Sequence, residues 1–277
     1  MNITDFDIYK NLLKEKSGLV LSQDKSYLIE SRLNPVAKKW GYEDLAAMTT
    51  ILRGMPPKDL INDIVEAMTT NETSFYRDNT PFDNFKNFVL PYFKAKNTPV
   101  KRLRIWCAAA SSGQEPYSLA MMLKEEAANM PGWNFEIIGT DISTEILDKA
   151  KEGLYTQFEV QRGLPITHLI KYFTQEGDKW QINKEIRDMV QYKYFNLLEP
   201  MTALGQFDVI FCRNVLIYFD QPAKKDIMER AEKQLAADGY FFLGGAETVL
   251  GITDSFANVP NARGLYAKSA SEHVKAA

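Results

Sequence analysis

The sequence contains only two cysteines and two histidines among its 277 residues. Cys107 and Cys212 both lie inside apolar runs, so they are predicted to be buried thiols rather than a disulfide pair. The histidines and cysteines also lack the close spacing of a metal-binding cluster. The sequence therefore excludes the disulfide-rich class of small secreted proteins, and no metal is expected.

Long apolar runs are missing as well. No stretch approaches the ~18 unbroken apolar residues that a membrane-spanning helix requires. The N-terminus, MNITDFDIYK, lacks the basic segment followed by an apolar run that marks a secretory signal. With 45% hydrophobic and 25% charged residues, the composition is typical of a soluble globular protein, and we expect a cytoplasmic location without membrane insertion.

An excess of basic charge is missing overall, since 33 Lys or Arg face 36 Asp or Glu and the net charge is −3, but the basic residues are unevenly distributed. Residues 10–58 hold nine Lys or Arg against five Asp or Glu. Such a basic segment favours an acidic partner, although solvated lysines on a helical surface are the simpler explanation. A nucleic-acid substrate would require a wider basic surface, so none is expected.

Hydrophobic spacing divides the chain into a helical part and a part in which strands alternate with helices. Phe6, Tyr9 and Leu13 share one helical face near the start, and helical periodicity continues over the first ~95 residues. From Leu103 onward the β-rich segments LRIWCA, FEIIGT and FDVIFC alternate with helices, which predicts parallel strands with crossover helices. The late segments GYFFLGG and RGLYAKS are close enough to pair antiparallel.

These patterns predict an α/β protein with three parts. A small all-helical domain covers residues 1–95, with a linker at about 70–95. The α/β domain covers 96–277, and a small β-rich insertion at 153–194 interrupts it. One helix is ambiguous, because Pro35 within YLIESRLNPVAKKW predicts either a kink or a new helix capped by Asn34.

A run of small residues, AAASSG at 108–113, follows the first predicted strand of the α/β domain. Open parallel sheets bind ligands at this position. The run is not a G-x-G-x-x-G fingerprint, and Glu115 in the first helical turn would repel a phosphate and favour a cationic or hydrogen-donating group. The alternative is that small residues only allow close packing of helix on sheet, and that Glu115 only favours the helix dipole.

The next predicted strand ends at Asp141, where a carboxylate can accept both hydroxyls of a ribose. The alternative is that Asp141 caps the following helix. Together, the small-residue turn and this aspartate predict an adenosine ligand without many phosphates. S-adenosylmethionine fits best.

Other polar residues lie where a ligand could accept hydrogen bonds from their side chains or donate hydrogen bonds to them. Arg213 and Asn214 interrupt the apolar segment FCRNVLIYF at a predicted strand end, although the chain could simply leave the core there. Tyr218 could present its ring to a sulfonium or its hydroxyl to an acceptor, and packing is the alternative. The loop TTNETSFYRD contributes three further candidates for cofactor binding: Asn71, Thr73 and Arg77.

Five segments together resemble, in order and spacing, the motifs of bacterial chemotaxis receptor methyltransferases of the CheR type. They are TNETSFYRD, RIWCAAASSGQEPYSLAM, GTDIS, FNLLEP and FDVIFCRNVLIYFD, and the resemblance spans roughly residues 60–250. It implies a helical N-terminal domain followed by a class I, Rossmann-like methyltransferase domain with an inserted antiparallel β-subdomain. The cofactor-binding residues that it implies are Asn71, Thr73, Arg77, Glu115, Asp141, Asn196, Leu197, Arg213 and Asn214.

The resemblance also implies a reaction. A methyl group would pass from S-adenosylmethionine to glutamate side chains on the cytoplasmic helices of chemoreceptors, giving γ-methyl esters and S-adenosylhomocysteine. Arg77 and Tyr218 would orient the acceptor beside the transferred methyl. Arg32, Lys38 and Lys39 are candidate contacts to the acidic receptor helices.

The sequence departs from the family in two places. A His-Ser-Glu-like run usually follows the strand matching FFLGG, but here the loop reads GGAE at 244–247, which removes two polar side chains and leaves its role open. The insertion is short around QEGDKW, which argues against binding of a receptor C-terminal peptide. A regulatory ligand or partner at the β-subdomain stays open.

Other classes of function are weaker alternatives. A catalytically idle S-adenosylmethionine sensor or adaptor would not need Arg77 and Tyr218. A methyltransferase acting on nucleic acid would need more basic surface, and one acting on a small molecule is a further alternative. A nicotinamide dehydrogenase is disfavoured by the missing glycine fingerprint and by Glu115.

Overall fold

The computed structural model describes residues 3–96 and 100–275. It divides into two compact units, one of Met1–Thr70 with Tyr218–Ala223 and one of Asn71–Ile217 with Lys224–Ala277. The boundary therefore lies after Thr70 rather than at the predicted residue 95. The segment predicted as a linker belongs to the larger unit.

The first unit is helical, as expected. Its core includes Tyr9, Leu13, Ile29 and Leu33, all without solvent exposure, and the Tyr9 hydroxyl lies 3.0 Å from Thr49 Oγ1. Its helices are α1 (Ile3–Ser17), α2 (Ser26–Lys39), α3 (Leu45–Leu52) and α4 (Lys58–Met68). No helix in the described residues is long and apolar enough to span a bilayer.

Helix α2 continues through Pro35. Asn34 does not cap a second helix, because its side-chain amide donates to the carbonyl of Glu30 at 2.7 Å, one turn earlier in the same helix. The predicted restart at Asn34 is therefore wrong. Val36 and Ala37, which follow the proline, are buried and help to hold this turn in the core.

The second unit is built on a sheet that is seven-stranded over the described residues. The strands of this sheet are β1 (Arg102–Ala108), β2 (Asn134–Asp141), β6 (Val190–Tyr194), β7 (Phe207–Cys212), β8 (Leu235–Leu243), β9 (Phe256–Asn258) and β10 (Leu265–Lys268). Their order in the sheet is β6-β2-β1-β7-β8-β10-β9. Strands β6, β2, β1, β7 and β8 pair in parallel, and β10 pairs antiparallel with both of its neighbours.

Helices connect these strands, as the alternating pattern predicts. Residues 80–96 form one helical run, α5 (Thr80–Asn84), a π-helical stretch (Phe85–Val89) and α6 (Leu90–Lys96). The remaining helices are α7 (Gln114–Glu126), α8 (Thr144–Glu152), α9 (Gln157–Gln161), α10 (Ile166–Tyr172), α11 (Lys184–Arg187) and α12 (Gln221–Gln234). The predicted α/β class is confirmed, and the antiparallel pairing near the C-terminus is confirmed with it.

Aromatic packing explains why residues 71–95 belong to the second unit. The ring of Phe82 stacks on Phe211 of β7 with centroids 6.3 Å apart, and Phe85 meets the same ring edge-on at 6.0 Å. Phe93 lies 6.0 Å from Tyr240 of β8. Burying these large rings against the sheet removes a large apolar area from water, so the helical run is part of the sheet's core.

A small antiparallel sheet, three-stranded in the described part of the chain, follows α8. Its strands are β3 (Leu154–Thr156), β4 (Phe173–Glu176) and β5 (Lys179–Ile182), in the order β3-β5-β4. The insertion predicted at 153–194 extends too far, because Val190–Tyr194 is strand β6 of the main sheet and pairs with β2.

Gly163, between α9 and α10, provides a test of how this insertion is anchored. Its φ is +90°, and a Cβ there would lie 2.1 Å from the carbonyl oxygen of Phe75. Because backbone cannot yield easily, we expect Gly163→Ala to lower the free energy of unfolding by about 2–4 kcal/mol. Gly177 is the matched control, since its φ is +63° and nothing in the described chain lies within 4 Å of its Cβ position.

Gly177→Ala should cost only about 1–2 kcal/mol, the penalty for a left-handed alanine. Urea unfolding of both variants measures the difference. Equal losses would mean that the contact with Phe75 contributes nothing.

Candidate functional site

The carboxyl ends of β1, β2 and β7 meet at one edge of the main sheet. Ala108, the last residue of β1, pairs with Thr140 on one side and Cys212 on the other. The loops that leave these strands therefore start side by side. Cys107 and Cys212 are buried free thiols within the strands, as predicted.

The small-residue loop after β1 has an unusual backbone. Ala109, Ser111 and Gly113 have φ values of +64°, +50° and +93°. Left-handed conformations at non-glycine residues cost free energy and concentrate at functional sites. Gly113 also serves packing, because a Cβ there would lie 2.6 Å from the Tyr192 hydroxyl. Close packing therefore accounts for the glycine at position 113, and ligand binding by the residues before it stays a prediction.

Asp141 joins this loop to the next one. Its Oδ2 accepts a hydrogen bond from the Ser111 amide at 2.8 Å, and its Oδ1 accepts one from the Ser143 amide at 3.0 Å. Asp141 is only 5% exposed. The N-cap of α8 is Ser143, whose hydroxyl accepts from the amide of Ile146 at 3.1 Å, so the alternative of Asp141 as the cap is wrong.

Glu115 and Arg213 form a buried ion pair beside the small-residue loop. Arg213 Nη1 donates to Glu115 Oε2 at 2.7 Å, and the two side chains are 1% and 11% exposed. Burial raises the pKa of Glu115, and the Arg213 charge offsets only part of that effect. Arg213 Nε is also buried, with no hydrogen-bond partner among the described residues.

Arg213 also holds the loop that precedes α5. Its Nη2 donates to the Arg77 carbonyl and to Asp78 Oδ2, both at 2.8 Å. The backbone here is left-handed at Tyr76, Asp78 and Asn79. One guanidinium thus connects Glu115 of the first α7 turn with the turn at Arg77, and the strain of that turn is held by charge-assisted hydrogen bonds.

The polar loop before this turn is anchored at several points. The Ser111 hydroxyl donates to the Asn71 carbonyl at 2.8 Å, so the two loops contact each other. Arg77 Nη1 donates to the Glu72 carbonyl at 2.8 Å, and Arg162 Nη2 lies 2.5 Å from the Glu72 carboxylate. Thr73 lies in the same loop.

The remaining cofactor candidates lie in the loops after β6 and β7. Asn196 is buried and accepts the amide of Leu198 on its side-chain oxygen at 3.0 Å, an Asx-turn. The Leu197 carbonyl accepts from Arg230 at 2.7 Å. Asn214 has a φ of +58°. Every candidate cofactor residue thus belongs to the second unit, at or near the carboxyl ends of its parallel strands or in the loop held against them.

Tyr218 and the candidate receptor contacts belong to the first unit. The Tyr218 carbonyl accepts from the Val20 amide at 2.9 Å. Arg32 donates to the Met68 carbonyl at 2.8 Å, and Lys39 lies 2.8 Å from Asp63. Two of the three basic candidates therefore have partners within their own domain.

Contacts with Lys39 and Trp40 favour the ionised form of Asp63. Burial disfavours the ionised carboxyl, but the hydrogen bonds from these two residues outweigh the effect of burial and lower the pKa of Asp63. Lys38 is exposed. Among the described residues, no group of His, Cys, Asp and Glu is arranged to hold a metal ion.

Two features of the site were not predicted from the sequence. A ligand or an exit of the chain from the core was expected for Arg213, whereas its side chain connects the first turn of α7 with the Arg77 turn. The GGAE loop was left without a role, although Glu247 accepts hydrogen bonds from the turn that carries Asn214. The signal in the sequence for such a role was a carboxylate shortly after a strand end, in a loop that begins with two glycines.

Comparison with known proteins agrees with this architecture. Residues 4–69 match the family described as CheR methyltransferase, all-alpha domain, and residues 71–265 match CheR methyltransferase, SAM binding domain. The division between the two matches coincides with the division between the two units after Thr70.

Curated relatives extend over most of the chain. Chemotaxis protein methyltransferase Cher2 of Pseudomonas putida is 40% identical over 265 residues, covering 94% of this chain and 96% of that protein. Chemotaxis protein methyltransferase 1 of Pseudomonas aeruginosa is 39% identical with the same coverage. The enzyme of the same name from Vibrio cholerae is 38% identical over 250 residues, 88% of this chain and 89% of that protein. The chain therefore belongs to the CheR methyltransferase family, a family of S-adenosylmethionine-dependent methyltransferases, as its five motifs predict.

Proposed function

We propose that the protein methylates glutamate side chains on the cytoplasmic helices of chemoreceptors, using S-adenosylmethionine and forming γ-methyl esters. The relatives are named chemotaxis protein methyltransferases, which supports a receptor as substrate. The observation that carries the proposal is the buried network of Glu115, Arg213 and the Arg77 turn at the strand ends. A cytoplasmic location follows from this substrate.

The residues at the strand ends fit S-adenosylmethionine better than a nucleotide rich in phosphate. Glu115 in the first turn of α7 repels phosphate and suits an amino group. The orphaned N–H at Arg213 Nε is a buried donor that suits a carboxylate. An amino acid presents both groups together, so this pair of side chains suits the methionine part of the cofactor.

The other candidates divide the adenosine part between them. Asp141 would hold the ribose hydroxyls, and Asn196, Leu197 and Asn214 would surround the base. Asn71 and Thr73 would close over the cofactor from the polar loop, and Arg77 would lie there too. When bound, S-adenosylmethionine supplies a methyl group on a sulfonium that a carboxylate oxygen can attack directly.

The acceptor needs little chemical activation. A glutamate with a pKa of ~4.3 is already ionised at pH 7, so no general base is required. The task of the protein is to hold the carboxylate in line with the methyl group. Arg77 would hold it by charge-assisted hydrogen bonds without protonating it, and the Tyr218 hydroxyl would donate a further one.

Receptor helices rich in glutamate would contact the basic side of the helical domain. Lys38 is the candidate best placed to do so, because it is exposed and its side chain forms no ion pair within the described residues. Arg32 already donates to the Met68 carbonyl and Lys39 already pairs with Asp63, so a receptor helix would have to compete with these partners. An exposed cation that keeps an internal partner contributes less to a new contact.

The test uses the purified protein with methyl-labelled S-adenosylmethionine and a set of chemoreceptor cytoplasmic fragments. Mild base followed by counting of volatile methanol detects carboxyl esters, because N-methyl groups survive that treatment. We expect base-labile label on at least one fragment, and none when its exposed glutamates are replaced by glutamine. Base-stable label would overturn glutamate as the acceptor, and no label with S-adenosylhomocysteine still bound would favour the sensor.

A further inference from the structure

We propose that Glu247 is a positioning residue for cofactor binding, because its carboxylate fixes the turn that carries Asn214. The inference rests on the proposed function in one respect, the assignment of Asn214 to the cofactor site. Glu247 itself lies after β8, in the GGAE loop, and is only partly buried.

The Glu247 carboxylate accepts four backbone hydrogen bonds within the described chain. Its Oε2 accepts from the amides of Asn214 and Gly244, both at 2.7 Å. Its Oε1 accepts from the amides of Val215 and Leu216 at 3.0 and 2.7 Å. Each oxygen therefore serves two N–H donors, which matches the acceptor capacity of an ionised carboxylate.

These bonds hold a turn with a left-handed residue in it. Asn214 has a φ of +58°, a conformation that asparagine tolerates better than most residues but that its neighbours must still hold in place. Three consecutive amides, from Asn214 to Leu216, point to one side chain, so the backbone turns around this carboxylate. Hydrogen bonds to a charged acceptor are stronger than those between neutral groups, so this set can hold the turn in place.

Gly244 shows that the two loops are closely packed here. A Cβ on Gly244 would lie 2.7 Å from Asn214 Nδ2 and 2.8 Å from Glu247 Oε2. Gly245, by contrast, has nothing within 4 Å of its Cβ position in the described chain. In the GGAE loop, Gly244 and Glu247 therefore hold the turn, whereas position 245 is open to substitution.

The turn also begins directly after Arg213. Glu247 thus fixes the backbone on the side of Asn214, while Glu115 and Asp78 fix the Arg213 guanidinium. If the carboxylate is lost, Asn214 is free to leave its position even though the sheet beneath it stays folded. The expected result is weaker cofactor binding rather than global unfolding.

A double-mutant cycle tests this directly. We expect Glu247→Gln to weaken binding of S-adenosylhomocysteine by about tenfold, since its amide group would face N–H donors where an oxygen is needed. In an Asn214→Ala background, the same change should weaken binding by no more than about twofold. Calorimetric titration measures both, with Glu176→Gln, an exposed residue of β4, as the control for a lost negative charge.

Coupling to Asn214 is a readout that a merely structural role would not produce. An equal loss in both backgrounds would overturn the proposal, as would unchanged affinity in the single variant. Gly244→Ala should reproduce the loss while keeping the carboxylate. Hydrogen exchange on the unaltered protein is independent of any variant, and rapid exchange of the Asn214, Val215 and Leu216 amides would contradict the geometry.

The binding readout separates this inference from the proposed function. S-adenosylhomocysteine binds without an acceptor, so a protein that forms no methyl ester can still confirm the role of Glu247. Conversely, ester formation with an unaltered affinity in Glu247→Gln would retain the proposed function and reject the positioning role.

Discussion

Replacement of Arg213 by methionine is expected to lower the free energy of unfolding by about 3–5 kcal/mol and to abolish measurable cofactor binding. The Arg213 side chain is 1% exposed and is the buried partner of Glu115. Without it, a carboxyl group whose pKa is already raised by burial loses the charge that favours its ionised form. The Arg77 turn loses two hydrogen bonds at the same time.

The double variant Arg213→Met with Glu115→Gln separates stability from binding. It removes both charges, so much of the lost stability should return, because a neutral pair avoids the cost of an unpaired buried charge. Binding of S-adenosylhomocysteine should stay absent, since the proposed groups for its amino-acid part are both gone. Urea unfolding and calorimetric titration measure the two effects.

Arg104 is the matched control for this prediction. It pairs with Glu136 at 2.7 Å near the start of β1, at the opposite end of the strand from the candidate site. Arg104→Met should cost less stability, since this pair is more exposed, and should leave cofactor affinity unchanged. Recovery of binding in the Arg213 and Glu115 double variant would show that the ion pair serves folding alone.

Replacement of Arg77 by alanine is expected to reduce kcat for methyl transfer by about 100-fold to 1000-fold, with a much smaller change in cofactor affinity. The side chain would hold the acceptor carboxylate, whereas the bond to Arg213 uses the Arg77 carbonyl and survives the substitution. The fold should therefore be retained. Single-turnover transfer to a receptor fragment and titration with S-adenosylhomocysteine give the two numbers.

Arg162→Ala tests whether a looser loop could explain such a loss. Arg162 holds the carboxylate of Glu72, and Arg77 holds the carbonyl of the same residue. Its removal loosens the segment but leaves the Arg77 charge in place. We expect kcat to fall by no more than about tenfold, the order of one partly exposed ion pair. A loss as large as that of Arg77→Ala would reassign Arg77 to loop anchoring.

Much of the architecture was predictable because strands and turns leave local patterns. The apolar segments around Trp106, Ile138 and Phe211 have the length of buried strands, and each lies in the main sheet. The small-residue turn and the aspartate at the end of β2 followed from where parallel sheets bind ligands. Such signals depend on side-chain period and turn chemistry within about ten residues.

The misplaced boundaries have a common cause. The run at 80–96 is helical in sequence, but its assignment to a unit depends on which surface covers Phe82 and Phe85. Residues 190–194 alternate like a strand, but only the pairing with β2 assigns them to the main sheet. The hydrophobic period of a segment identifies it as a helix or a strand, but it does not show which other element packs beside it.

The sequence by itself determined the two-part organisation, the parallel sheet and the residue types at the ends of its strands. Only the tertiary structure decided how those residues are paired. Arg213 and Glu115 are 98 positions apart, and Glu247 and Asn214 are 33 apart. A buried polar or charged group needs a partner, but the local sequence does not show which residue that partner is. Such pairs can be assigned only when the order of the strands shows which loops lie together.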